Sequence, residues 1–483
     1  MKSPRDPRLF RQAALIGGNW LQAKDEADPV FNPATGEMLG QVPRLGKKET
    51  LEAIALAQEA FGAWRKRPAI ERARVLQNFF SLIVDNEDDL ALILTQEQGK
   101  PLAEARGEAR YAASFVEWFA QEARRACGMT MPSPEAKKRL IVTKEPVGVV
   151  AAITPWNFPL AMVTRKVTPA LAAGCAVVLK PAPETPFSAL ALGELAMRAG
   201  LPPGLFNILT GDAQAIGDAM CKSPLVRALT FTGSTGVGKL LMAQSAQTVK
   251  KVVLELGGHA PFIVFPDADM GLAVKGAVRA KLRSSGQTCV SPNRFLIHEE
   301  VYEAFSSHLV RMFSRMRLGD GLADRVDVGP LISPKAVQKA KEHVEDALAK
   351  GARLLCGGQI ASPGGNFLAP TVLGDCNPEM RVFQEETFAP VAPLCRFSGE
   401  DMALELANAT PYGLAAYFYT RDLGRAIRVG EALEYGMVGV NTTALSLAEA
   451  PFGGFKSSGL GREGSFWGME EYLEVKYWCL ETE

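Results

Sequence analysis

The stretch VGVVAAITPWNFPLAMVTRKVTPALAAGCAVVLKPAPETP, residues 147–186, decides the fold. It contains two short apolar runs, 147–154 and 175–180, separated by a segment of helical character that Pro159 is placed to begin. Continuous apolar runs of this length are typical of parallel strands that are covered on both faces. The stretch therefore predicts a strand, a helix and a second strand of one parallel sheet.

The same alternation continues on the carboxyl side of this stretch. FNILTG (206–211) and ALTFTGST (228–235) read as two more strands, so that 147–256 resembles a doubly wound nucleotide-binding domain. A second β/α series runs over 260–441. On the amino side, 12–39 predicts short hairpins, 47–125 predicts amphipathic helices, and 129–146 and 472–480 predict an extended arm and an edge strand.

Composition limits the kinds of function. The 483 residues include 53 Lys and Arg against 53 Asp and Glu, so no overall charge favours nucleic acid or an anionic membrane. The amino-terminal residues lack the apolar core of a signal peptide, and no apolar run is long enough for a membrane span. Eight scattered cysteines and four histidines predict neither disulfides nor a metal site, which favours a reducing cytoplasm.

Three residues carry candidate chemistry. Cys289 lies among small polar residues in SSGQTCVSPN (284–293), where a thiolate is a nucleophile if it is partly exposed and electrostatically favoured. Glu255 interrupts the apolar run VVLELGG, and burial there raises the pKa of a carboxyl toward that of a general base. The amide of Asn157 suits an oxyanion hole, although a turn or helix-cap role explains it equally well. A single buried cysteine is more often structural than reactive.

A glycine-rich turn follows one of the predicted strands. FTGSTGVGK (231–239) places Gly233, Gly236 and Gly238 before a helix, where backbone N–H groups can hold a pyrophosphate. Its spacing differs from GxGxxG, so an ordinary loop is an equal alternative.

Several motifs occur together in a fixed order. They are TPWNFP (154–159), LKPA (179–182), FTGSTGVGK, LELGG (254–258), GQTC (286–289), EETFAP (385–390) and PFGGFKSSGLGRE (451–463). Over nearly the whole chain this set resembles the NAD(P)-dependent aldehyde dehydrogenase superfamily, and within it the succinate-semialdehyde dehydrogenase group, with glutarate-semialdehyde dehydrogenases nearby.

The resemblance implies an aldehyde dehydrogenase-like α/β fold with three parts. A Rossmann-type NAD(P)-binding domain would span 1–128 and 147–256, and an α/β catalytic domain 257–463. A small β oligomerisation arm and tail, 129–146 and 464–483, would join a homodimer or homotetramer.

It also implies a reaction, the oxidation of succinate semialdehyde or another short ω-carboxy aldehyde. Cys289 would form a thiohemiacetal and then a thioester, Asn157 would hold the oxyanion, and Glu255 would activate water. Lys166 and Glu463 would assist proton transfer, with a structural ion pair as the alternative. The substrate carboxylate would be bound by Arg165, Arg283 and Ser446.

NAD or NADP would be held by ten positions. These are Thr154, Trp156, Lys180, Pro183, Glu184, Gly233, Ser234, Gly257, Glu386 and Phe388. Pro183 departs from the glutamate or small hydroxyl residue that selects between the two cofactors, so the preference stays open with a lean to dual use. Ala389 replaces a glycine, a change that we expect the loop to tolerate.

Other functions compete with this interpretation. The sequence does not determine the chain length of the substrate. Glutarate semialdehyde, or a broad range of aldehydes, is therefore an alternative. A cofactor-independent cysteine hydrolase normally uses a histidine partner, and no histidine here lies in a convincing motif. A non-catalytic structural protein on this fold would not require Cys289, Glu255 and Asn157 together.

Overall fold

The computed structural model describes residues 2–23, 26–361 and 365–482. Short strands and four long helices come first: β1 (Ala13–Ile16), β2 (Asn19–Gln22), β3 (Ala27–Phe31), β4 (Met38–Pro43), α1 (Lys47–Trp64), α2 (Ala69–Asp85), α3 (Glu87–Gln98), α4 (Leu102–Glu122), β5 (Met129–Met131) and β6 (Lys138–Pro146). An alternating series follows: β7 (Val149–Ile153), α5 (Ala161–Ala173), β8 (Ala176–Lys180), α6 (Pro186–Arg198), β9 (Phe206–Ile208), α7 (Ala213–Lys222), β10 (Val226–Thr232), α8 (Thr235–Ser245) and β11 (Lys251–Glu255).

The remaining elements form the second series and the tail. They are β12 (Ala260–Val264), α9 (Met270–Leu282), β13 (Pro292–His298), α10 (Tyr302–Phe313), α11 (Pro334–Ala349), β14 (Arg353–Cys356), β15 (Ile360–Ala361), β16 (Phe367–Leu368), β17 (Thr371–Gly374), α12 (Arg381–Gln384), β18 (Val391–Phe397), α13 (Glu400–Asn408), β19 (Tyr412–Gly413), β20 (Ala415–Tyr419), α14 (Leu423–Ala432), β21 (Met437–Val440), β22 (Phe455–Lys456), β23 (Gly459–Leu460), α15 (Trp467–Glu470) and β24 (Leu473–Glu481).

The first sheet has the order β2-β1-β9-β8-β7-β10-β11-β23. Strands β7 to β11 are parallel, and β1 and β23 add antiparallel pairs at either side. The chain proceeds from β7 to β9 in one direction and then returns to the other side of β7 with β10. This reversal leaves a crevice at the carboxyl ends of β7 and β10, where such sheets bind ligands.

The apolar stretch that predicted the sheet is its centre. Val150, Ala151, Val177 and Val178 are completely buried, because helices cover both faces. Burying each valine contributes about 1.5–3 kcal/mol relative to exposure. The predicted parallel arrangement is confirmed.

The second sheet has the order β14-β17-β18-β13-β12-β20-β21 and is parallel apart from β14. Apolar clusters fill both of its faces. Cys289 precedes β13, and Glu386 precedes β18. Loops at the amino ends of these strands therefore carry two of the predicted site residues.

The arm and tail form one antiparallel sheet, β24-β6-β5. β24 pairs with β6 along its whole length, from Leu473 opposite Pro146 to Glu481 opposite Lys138. Its apolar side chains Val475 and Trp478 are exposed. This exposure supports the predicted role in assembly, which stays a prediction, as do the domain boundaries.

None of the helices in the described residues is both long and apolar enough to cross a lipid bilayer.

Candidate active site

A cavity of about 760 Å³ lies where the carboxyl edge of the first sheet meets loops of the second. Most of the predicted site residues line it: Trp156, Asn157, Arg165, Glu184, Gly233, Ser234, Glu255, Gly257, Arg283, Cys289, Glu386, Phe388 and Ser446. The others lie outside its lining: Thr154, Lys166, Lys180, Pro183 and Glu463. The structure thus brings the candidate nucleophile, base and oxyanion donor into one space.

A tight turn holds the segment that leads to Cys289. After α9 the backbone enters the left-handed region at Ser284 (φ 49°), Ser285 (φ 57°) and Gly286 (φ 76°). A Cβ at Gly286 would lie 2.3 Å from the carbonyl oxygen of Ala389, so only glycine fits there. Two non-glycine residues in this conformation store strain, which is common at functional sites.

The surroundings of Cys289 favour its protonated form. Burial raises the pKa of this thiol well above its usual range, and the nearby Glu255 carboxylate raises it further, whereas Arg165 acts in the opposite direction. The electrostatic condition for a reactive thiolate is therefore not met by burial and Glu255, and the nucleophilic role of Cys289 stays a prediction. Cys289 is a neutral thiol at pH 7, and its attack on a carbonyl requires a base to remove the proton.

Glu255 is suited to be that base. It ends β11, is 1% exposed, and neither of its carboxylate oxygens accepts a hydrogen bond from any described residue. Burial raises the pKa of Glu255 to about 7, against the opposing effect of Arg165, whose Nη2 lies 3.9 Å from the carboxylate. A carboxyl with this pKa can both take and give a proton near neutrality.

The amide of Asn157 faces the loop of Cys289. Asn157 Nδ2 donates to the carbonyl of Gln287 at 3.0 Å, while Oδ1 has no partner among the described residues. The carbonyl can only accept, which fixes the orientation of the amide. The nitrogen, the donor that an oxyanion requires, is therefore on the side of the nucleophile.

Behind this face lies a buried charge cluster. Arg165 Nε lies 2.5 Å from Glu463, and Lys166 also pairs with Glu463. Burial by itself would raise the pKa of Glu463, but Arg165 and Lys166 outweigh it and hold that pKa below its usual range. Lys166 and Glu463 thus form the ion pair that the sequence left as an alternative, and their part in proton transfer stays a prediction.

The two predicted carboxylate ligands have different environments. Arg165 is almost completely buried and already paired, whereas Arg283 is partly exposed to the cavity and forms no ion pair within the part of the chain that is described. The Arg283 guanidinium lies 4.7 Å from the ring centre of Phe158. Arg283 therefore remains available to a substrate anion.

Tyr111 is a site residue that the sequence did not indicate. Its side chain lines the cavity, and its hydroxyl lies beside Arg165 and Ser446. In the sequence it is one aromatic residue of an amphipathic helix and looks like core. Only the position of α4 under the cavity shows that the hydroxyl of Tyr111 belongs to the site.

The opposite side of the cavity fits a dinucleotide. Ser234 is the N-cap of α8, so that free N–H groups face the crevice. Trp156 and Phe388 form a wall, with ring centres 5.6 Å apart. A Cβ at Gly257 would lie 3.1 Å from Glu386 Oε2, so glycine leaves this space free.

Residues near the expected adenosine end lie at the rim. Lys180 Nζ donates to the carbonyl of Pro181 at 3.0 Å, and burial lowers the pKa of Lys180 while Glu184 opposes that effect. Pro183 and Glu184 are exposed. No group of three or more metal-binding side chains occurs within the described ranges.

Comparison with known proteins adds independent information. Residues 20–478 match the model of the Aldehyde dehydrogenase family. Over 476 residues the chain is 58% identical to the NADP(+) succinate-semialdehyde dehydrogenase of Escherichia coli, covering 98% of this chain and 99% of the relative. It is 57% identical to the 3-sulfolactaldehyde dehydrogenase of Pseudomonas putida, covering 99% and 98%. A crystal structure of succinate-semialdehyde dehydrogenase from Burkholderia pseudomallei superposes with a TM-score of 0.99 at 57% identity, over the full length of both chains.

Proposed function

Because the chain belongs to the aldehyde dehydrogenase family, we propose that it oxidises a short aldehyde with a carboxylate at its far end, foremost succinate semialdehyde. The observation that carries this proposal is the unpaired guanidinium of Arg283 in the same cavity as Cys289 and Glu255. A guanidinium binds a carboxylate with two parallel hydrogen bonds, which an uncharged aldehyde cannot accept. Ser446 and the hydroxyl of Tyr111 add hydrogen-bonding groups at that end.

The reaction begins at Cys289. Glu255 removes the thiol proton, the sulfur attacks the aldehyde carbon, and the carbonyl oxygen becomes an oxyanion held by Asn157 Nδ2 and the backbone N–H of Cys289. Loss of hydride from this thiohemiacetal leaves a thioester on Cys289. When bound, NAD or NADP supplies the acceptor for this hydride.

Hydrolysis then releases the acid. Once Glu255 has released the thiol proton to solvent, its carboxylate takes a proton from water while the water oxygen attacks the thioester carbon. The tetrahedral intermediate then expels Cys289 as a thiolate, which recovers that proton from Glu255. The products are the dicarboxylic acid and the free enzyme.

The cofactor would be held in the crevice of the first sheet by Trp156, Ser234, Gly257 and Glu386. The helix N-terminus at Ser234 suits a pyrophosphate, and the Glu386 carboxylate suits a ribose hydroxyl. Neither interaction distinguishes NAD from NADP.

The first prediction concerns substrate choice. We expect kcat/KM for succinate semialdehyde to exceed that for butanal by ten- to hundredfold, about 1.4–2.7 kcal/mol, because only the former pairs with Arg283. Arg283→Ala should raise KM for succinate semialdehyde by about ten- to hundredfold, the 1.5–3 kcal/mol of a charged hydrogen bond. Absorbance of the reduced cofactor measures both rates.

Arg279→Ala is the matched control, since Arg279 lies one turn earlier on α9, is exposed and does not line the cavity. It should leave both substrates unaffected. Equal activity with butanal would show that the enzyme is a general aldehyde dehydrogenase. An unchanged KM in Arg283→Ala would show that Arg283 does not bind the carboxylate. Glutarate semialdehyde, which carries the same two functional groups, belongs in the same assay to establish the preferred chain length.

The second prediction concerns the cofactor. Pro183 offers neither an acceptor for a ribose hydroxyl nor a donor for a phosphate, while Lys180 attracts and Glu184 repels a 2′-phosphate. We therefore expect NAD and NADP to give kcat/KM values within about tenfold, or 1.4 kcal/mol. Glu184→Gln should shift the ratio toward NADP. A preference of about a thousandfold for NAD in the unaltered enzyme would refute dual use.

We further propose that the protein works in the cytoplasm as a homodimer or homotetramer. Eight free thiols support a reducing compartment. The apolar side chains exposed on β24 support an interface between copies of the chain.

A further inference from the structure

A buried lysine lies directly beneath the residue that holds the oxyanion. Lys100 follows α3 in the turn to α4 and is 2% exposed. Its Nζ lies 2.5 Å from Glu108 Oε2 and donates to the backbone carbonyl of Asn157 at 2.7 Å. The ammonium is also 3.9 Å from the ring centre of Phe158. One cation thus contacts two consecutive residues of the turn after β7.

Glu108 holds the other end of the same turn. Its Oε1 accepts from the backbone N–H of Leu160 at 3.0 Å and of Ala161 at 3.3 Å. These are donors at the start of α5 that have no partner within the helix. The Lys100–Glu108 pair therefore holds both the backbone carbonyl of Asn157 and the segment that follows Asn157.

The same helix reaches the loop of the nucleophile. Glu104, one turn before Glu108 on α4, accepts from the backbone N–H of Ser284 at 2.8 Å, and Gln98 Nε2 donates to Ser284 Oγ at 3.3 Å. The strained turn before Cys289 and the turn that carries Asn157 are thus both tied to the segment formed by the end of α3, the turn after it and the start of α4. Their relative position sets where the amide nitrogen lies with respect to the sulfur.

The charge on Lys100 is costly to bury. Burial lowers the pKa of Lys100, and Glu108 works against that effect. Buried ion pairs are rarely more stabilising than apolar residues of the same size, so stability alone does not account for this pair. Neither residue lines the cavity or touches substrate in the proposed reaction.

We propose that Lys100 and Glu108 are positioning residues for the chemical step, acting through the backbone of Asn157 to keep its amide aimed at the oxyanion. The proposal rests on the proposed aldehyde oxidation. It assigns the pair no contact with substrate, cofactor or the reacting atoms. Its energetic effect must therefore depend on the presence of the Asn157 side chain.

A double-mutant cycle tests this dependence. Lys100→Met should lower kcat by about ten- to hundredfold, the effect of a displacement of about 1 Å at a reacting centre, with KM for aldehyde and cofactor changed by less than about threefold. Asn157→Ala should lower kcat by about 10²–10³-fold. In the Asn157→Ala background, Lys100→Met should have less than about a threefold further effect, because the amide that it positions is gone.

Lys250→Met is the matched control. Lys250 is also buried and donates to backbone carbonyls, those of Met220 at 3.1 Å and Ser223 at 3.0 Å, but it does not line the cavity. Thermal unfolding should show a loss of stability in both lysine variants, and only Lys100→Met should lose kcat. If Lys100→Met does not fold, Glu108→Gln, which keeps the acceptor for α5 and removes the charge, should give the same kcat loss and the same dependence on Asn157.

Two results would overturn the proposal. One is a normal kcat in folded Lys100→Met or Glu108→Gln. The other is an equally large loss in the presence and absence of the Asn157 side chain, which would mean a general structural effect. Failure of the proposed function looks different, since the unaltered enzyme would then oxidise no aldehyde, or would oxidise butanal as well as succinate semialdehyde.

Discussion

Cys289→Ser is expected to lower kcat/KM for succinate semialdehyde by at least about 10⁴-fold, the range seen when an enzyme loses its nucleophile. A serine hydroxyl at this position is far less nucleophilic than a thiol, and the single base Glu255 would have to remove a much less acidic proton. Cofactor affinity should stay within about threefold, because the sulfur does not form part of the crevice of the first sheet.

The matched control is Cys356→Ser, since Cys356 is a free and partly exposed cysteine like Cys289 but lies outside the cavity. It should retain normal rates. Turnover is followed by absorbance of the reduced cofactor, and cofactor affinity by equilibrium titration. Substantial aldehyde oxidation by folded Cys289→Ser would mean that another group is the nucleophile.

Glu255→Gln is the second large effect. We expect steady-state kcat to fall by about 10²–10⁴-fold, the usual contribution of a general base. At high pH, where some of the Cys289 thiol ionises without help, the variant should still form the thioester once. Rapid mixing should then show at most one reduced cofactor per active site, followed by a very slow phase.

The pH dependence follows from the same carboxyl. Burial raises the pKa of Glu255 to about 7, and the form that accepts a proton is the carboxylate. In the unaltered enzyme kcat should therefore rise as the pH increases through about 7 and level off above it. Glu255→Gln should lack this inflection. An inflection of the same size in the variant would assign the titration to a different group.

The fold was predictable from local patterns. The apolar runs around β7 and β8 lie at the centre of a sheet covered on both faces, so continuous hydrophobicity identified them without tertiary information. The glutamate inside the apolar run of β11 stood out because such a run is expected to be buried, and a carboxylate is costly to bury. Glu255 indeed proves to be buried without a hydrogen-bond partner among the described residues.

Other features depend on contacts between distant parts of the chain. The protonation of Cys289 is set by burial and by Glu255, neither of which shows in the polar sequence around it. Arg165 was predicted to bind the substrate carboxylate, which stays a prediction, and the sequence did not show that it pairs with Glu463 near the carboxyl terminus. Lys100 lies between a glycine and a proline, which is a common sequence for a turn between helices and gives no sign of a further role. Only the packing of α4 against α5 places its ammonium under Asn157.

The central claim is that Cys289 carries the acyl group of an ω-carboxy aldehyde during the reaction. Intact and peptide mass spectrometry of Glu255→Gln, after incubation with succinate semialdehyde and NAD or NADP, tests it most directly. We predict a mass gain of one succinyl group, located on Cys289 and absent when the cofactor is omitted or Cys289 is replaced by serine. Reduced cofactor formed in repeated turnovers without any adduct, or an adduct on a different residue, would contradict the account.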